Sequence, residues 1–138
     1  MFKLHFSYLE DYPFLGSIQM TMKKKNSAPE LIHQCGGSLI GTKHVLTAAH
    51  CFDSSRNPDN YYVLFGHTNI YVEWTQKGSI EDLYQAQEII VHEAYAVELD
   101  NFFNDIAIIV LIRHVKFKPN IELAKLTSMK NPKGVSHY

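Results

Sequence analysis

Short runs that alternate apolar with polar residues, rich in β-branched and aromatic side chains and broken by Gly, Pro, Asn or Asp, recur along this chain, and no long stretch carries a helical period. That pattern constrains the fold more than any other feature: the chain is all-β. Strands are expected over residues 14–22, 33–41, 44–47, 61–67, 85–92 and 105–112, and six short strands suit a small closed barrel. Pro13 stands just ahead of the first, where a strand needs no ladder donor. Residues 23–31 read as a polar loop, 53–60 as almost pure turn chemistry, and 93–104 as a further loop. The nearly continuous apolar run 106–112 predicts a strand buried on both faces. Beyond it, Ile121, Leu123 and Leu126 are the expected anchors of a loosely ordered segment. A chain of 138 residues, 46% of them hydrophobic, is long enough for one core and reads as one domain.

Three blocks carry the chemistry. Leu46-Thr47-Ala48-Ala49-His50-Cys51 puts a histidine beside a cysteine at the end of an apolar strand, and the short helix-permissive stretch after Thr47 lifts His50 to the barrel rim. Gln34-Cys35-Gly36-Gly37-Ser38-Leu39-Ile40 holds the second of the two cysteines. Asn104-Asp105-Ile106-Ala107-Ile108-Ile109-Val110-Leu111 sets a carboxylate at the mouth of a greasy strand. Burying an unpaired charge costs several kcal/mol, on the order of the penalty for a lone buried ion, so Asp105 needs a partner, and a histidine N–H is the natural one. Alone, each residue has a plainer reading. One histidine among eight is more often a satisfied surface or core residue, and an aspartate before a strand is more often a turn residue or cap. His33, His44, His67, His92, His114 and His137 show no recognised metal-ligand spacing, so no metal or other cofactor is expected.

In their order and spacing the three blocks resemble the trypsin/chymotrypsin family of serine endopeptidases, from about residue 12 to about residue 134. The resemblance implies a six-stranded Greek-key barrel, the first of the two barrels of a trypsin-like protease. It divides the chain into an unaligned segment 1–11, a first barrel 12–129 and the start of a connector 130–138. It also implies that His50 is the general base, that Asp105 orients it, and that Cys35 and Cys51 form a disulfide; the Ser-His-Asp template used for these roles is drawn from this same family. Phe102, three residues before Asp105, would line the subsite next to the scissile bond, although an aromatic packed into the barrel rim is an equal reading. Gly36-Gly37 would pass under the scissile region of the substrate, or simply bend the barrel. In some trypsins the loop after Gly-x-x-Asn-Ile binds calcium through glutamates; His67, Trp74 and Lys77 stand there instead, and no calcium site is expected.

No Gly-Asp-Ser-Gly-Gly block is present, Ser38 lies within a strand, and no serine sits in a Gly-x-Ser-x-Gly turn. The expected function is therefore serine-type endopeptidase chemistry on protein or peptide substrates, supplied as a half that carries base and orienter without the nucleophile. Such a half is inert until it meets the second barrel of the same enzyme. The alternative is a non-catalytic homologue in which the barrel serves as a binding module.

A net charge of −1 and a pI of about 6.7 give no electrostatic case for nucleic acid or an anionic membrane surface. Lys23-Lys24-Lys25, the one basic cluster, reads as a solvated loop tip. No apolar run approaches the roughly 20 residues of a membrane helix, and residues 1–6 lack the charged head and apolar core of a signal peptide. The cysteine pair nevertheless points to an oxidising, secreted setting, where closing a loop of about 15 residues contributes about 3 kcal/mol on the entropic account. The expectation is that a secretion signal lies upstream of this sequence.

Overall fold

The structure is a computed structural model that describes residues 11–127. The expectations for residues 1–10 and for the connector 130–138 lie outside the described residues.

Eight strands form, in chain order β1 Leu15–Met22, β2 Glu30–Gly41, β3 His44–Thr47, β4 Tyr61–Phe65, β5 Leu83–Val91, β6 Ala96–Glu98, β7 Asn101–Phe103 and β8 Ala107–Leu111. Six of them close an antiparallel barrel in the order β1-β2-β3-β8-β5-β4. β4 returns to lie beside β1 after the consecutive β1-β2-β3, giving the neighbour order 4-1-2-3 of a Greek key. The only helical elements among the described residues are 3₁₀ turns, and no helix is long and apolar enough to cross a membrane.

The period of two explains the core. Ile18, Leu39, Val45, Val63, Phe65, Tyr84, Ala86, Ala107, Ile109 and Leu111 point inward from the six barrel strands and are almost wholly buried. β4 reads as an unbroken apolar run because both its faces are covered. Tyr61, Val63 and Phe65 enter the barrel, while Tyr62 and Leu64 pack outside it with Leu31, Val72 and Leu83, beneath Trp74 and Ile80 of the following loop. In that loop the Lys77 ammonium lies 3.7 Å from the Trp74 ring centroid and donates to Tyr62 Oη at 3.1 Å. His67 Nε2 meets Asp82 Oδ2 at 3.0 Å. His67 is thus paired with a carboxylate, and Lys77 with the Trp74 and Tyr62 side chains.

Four details depart from the sequence-based expectations. β8 is not buried on both faces: Ala107, Ile109 and Leu111 face the core, Ile108 and Val110 are half-buried, and Ile106 and Ile112 are exposed. β2 starts at Glu30, three residues early, because the β1–β2 hairpin keeps pairing to Met22 opposite Glu30, with Lys24 and Glu30 bridged at 2.9 Å. The loop 93–104 contains the β6–β7 hairpin, whose turn residues Leu99 and Asp100 both have positive φ (47° and 64°), as a type I′ turn requires. Lastly, of the three expected anchors Ile121 is fully buried but Leu123 and Leu126 are exposed, and the segment after β8 is held instead by Val115 and Ile121. Backbone bonds from Glu122 to Pro13 and from Ala124 to Leu39 lay that segment back along the barrel.

Candidate active site

Thr47 ends β3, and its hydroxyl donates to the carbonyl of Gly36 at 2.9 Å. The chain then tightens into the 3₁₀ turn Ala49–Phe52. Ala49, Cys51 and Phe52 are buried, Phe52 edge-on to Tyr61 at 5.1 Å between centroids. Cys51 is bonded to Cys35 of β2, with 6.2 Å between Cα atoms. With its neighbours fixed inward, His50 is the residue of this turn that faces out; 46% of its side chain is exposed.

Asp105 reaches it from the other side, just before β8. Its Oδ1 accepts the backbone N–H of His50 at 2.8 Å and its Oδ2 lies 2.7 Å from His50 Nδ1. Desolvation pushes the Asp105 carboxyl upward. Hydrogen bonds from the His50 ring and amide, the ring's charge and the Ala49 amide act the other way and prevail, holding it below the usual carboxylate range. Asp105 is therefore an acceptor at neutral pH, so Nδ1 carries the proton. In the neutral ring Nε2 is then left with its lone pair, the tautomer that a general base on the exposed side needs.

Asn104, next to Asp105, sits at φ 52°, a region asparagine tolerates, and its side-chain amide donates to Ala94 O at 3.0 Å. On the same segment Tyr95 donates its hydroxyl to both oxygens of Asp53, at 3.0 and 3.1 Å. Burial of the ring and its bond to Asp53, with the charges of Asp53 and Asp105, push the phenol up to about 12. Sequence reasoning missed Tyr95 and Asp53, since a tyrosine and a turn aspartate 42 positions apart carry no local signal.

Phe102, on β7, lies with its ring centroid 5.2 Å from that of His50, tilted by 43°, and is half-exposed. It borders the histidine and is not packed into the barrel. Gly37 and Gly36 differ: a Cβ on Gly37 would stand 2.7 Å from Val45 Cγ1, whereas one on Gly36 would meet nothing within 4 Å. Barrel packing thus accounts for Gly37 alone.

Cys35, His50 and Cys51 are close enough to suggest a metal cluster, but the two sulfurs are consumed in the disulfide and offer no thiolate. Ser17 Oγ meets His33 Nδ1 at 2.7 Å, yet Ser17 is buried in the β1–β2 ladder, out of reach of a peptide carbonyl.

A sequence model of the family described as Trypsin matches residues 5–137. The chain is 40% identical over 110 residues to transmembrane protease serine 11G of Mus musculus, covering 80% of this chain and 22% of the relative. It is 42% identical over 92 residues to chymotrypsin-C of Mus musculus (67% of this chain, 31% of the relative). With the chymotrypsin of Phaedon cochleariae it shares 33% over 105 residues (76% and 35%). The chain belongs to the trypsin family of serine proteases. It spans about a fifth to a third of the length of these relatives.

Proposed function

We propose that this chain is the general-base half of a serine endopeptidase, in which His50 and Asp105 act on a serine hydroxyl supplied by a second barrel. The observation that carries the reading is the double grip of Asp105 on the ring and amide of His50, which leaves Nε2 as a free acceptor on the exposed side of the turn. In the reaction the serine oxygen attacks the peptide carbonyl as its proton passes to His50 Nε2. The resulting imidazolium is stabilised by Asp105 and returns the proton to the departing amine. Phe102, beside the His50 ring, would line the subsite next to the cleaved bond. Membership of a protease family supports protein substrates, and the disulfide suits an oxidising compartment outside the cytosol. Among the described residues no serine hydroxyl is bonded to His50, and the chain by itself should not hydrolyse peptides.

The message that encodes the chain tests this cheaply. An open reading frame continuing past Tyr138 into a Gly-Asp-Ser-Gly-Gly block is the expected result. A stop codon directly after Tyr138, with a folded, monomeric product, would overturn it in favour of a binding module.

A further inference from the structure

The proposed base and its orienter come from segments 55 residues apart, the turn after β3 and the approach to β8. Besides the β3–β8 ladder and the His50–Asp105 bonds themselves, a second polar link joins those segments: Tyr95 Oη to both carboxylate oxygens of Asp53. Resting on the reading above, we propose that Tyr95 and Asp53 are positioning residues, a clasp that holds Asp105 in register with His50.

The bonds form a closed circuit. Asp53 follows the 3₁₀ turn and its amide donates to His50 O at 3.2 Å, so the carboxylate that receives Tyr95 is tied to the backbone of the histidine. Tyr95 packs part of its ring against the barrel core and donates its amide to His92 O at 3.0 Å. The intervening Ala94 donates its amide to His92 Nδ1 at 3.0 Å and accepts the Asn104 side chain through its carbonyl at 3.0 Å. Asn104 is bonded directly to Asp105 and holds a positive φ, one of several conformations open to asparagine, that its side-chain bond to Ala94 selects. From His50 the path therefore runs through Asp53, Tyr95, Ala94 and Asn104 to Asp105 and back to His50. Opening it at the Tyr95–Asp53 contact frees the approach to β8 to swing at Asn104, where small backbone rotations displace the carboxylate. The phenol, pushed up to about 12, stays a donor at neutral pH.

The test uses the 138-residue chain and needs no serine. The ring N–H of a histidine bonded to a carboxylate gives a downfield proton resonance whose exchange with water reports how firmly the pair is held. Tyr95→Phe keeps the packed ring and removes the donor; Asp53→Ala removes the acceptor; Asp53→Asn keeps an acceptor oxygen. The proposal expects the His50 Nδ1 proton to exchange about fivefold faster or more in Tyr95→Phe and Asp53→Ala, the scale of one exposed hydrogen bond, and Asp53→Asn to restore most of the protection. Unchanged exchange in Tyr95→Phe would overturn the clasp while leaving the His50–Asp105 reading intact. A wild-type spectrum without a proton that Asp105→Asn abolishes would overturn both.

Discussion

At the scale of single residues, the exposure of His50 is dictated by what its neighbours cannot do. Ala49, Cys51 and Phe52 are all committed inward, so the turn has one side chain left to present, and Asp105 takes both donors that side chain and its amide offer toward the barrel. The paired glycines give a sharp test of packing at the same scale. Gly37→Ala would press a methyl against Val45 Cγ1, a stiff β-branched side chain in the core, and should destabilise the fold by about 1–3 kcal/mol. Gly36→Ala meets open space and should stay within about 0.5 kcal/mol of the parent. Equal urea midpoints for the two variants would contradict the placement. His50, Asp105 and the cysteines could be picked out in the sequence because each sits in a short contiguous block whose order and spacing resemble those of a known family. Tyr95 and Asp53 were not, because their meeting depends on how the barrel brings two remote segments together.

Among the elements, the six barrel strands were legible from the period of two and from turn residues between them, with boundaries off by a few positions. The β6–β7 hairpin escaped because its turn is Leu99-Asp100, where the usual signal for two successive positive φ values is Asn-Gly. β8 misled in the other direction: a strand flanked by exposed Ile106 and Ile112 looks fully buried when only its composition is read. The turn makes its own prediction. Leu99 is 96% exposed, so replacing it forfeits almost no burial, and a left-handed backbone costs a leucine on the order of 1 kcal/mol more than an asparagine. Leu99→Asn should therefore raise the thermal midpoint. A lowered midpoint would mean that the hairpin does not turn at these two residues.

For the whole molecule, acid should be the sensitive direction. Asp105 is held low as described. Lys118 and His67 outweigh desolvation at Asp82, and hydrogen bonds and charge from Lys116 and Lys118 lower Glu81. Each of these carboxyls binds a proton more readily in the unfolded chain than in the folded one, so the unfolded state gains protons first as pH falls. Their stabilisation is complete above the usual carboxylate range and disappears as pH drops through the lowered folded values. Denaturant midpoints should thus be flat from neutral pH down to about 5 and fall below about 4; stability that rose on acidification would contradict the assignments. The central claim, that His50 is a general base awaiting a serine, is tested most directly by joining this chain to a trypsin-family second barrel and following peptide hydrolysis. The account predicts turnover by the folded hybrid that drops by about 10⁴-fold or more in His50→Ala, the size carried by the family's own triad template. Hydrolysis undiminished by His50→Ala would contradict it.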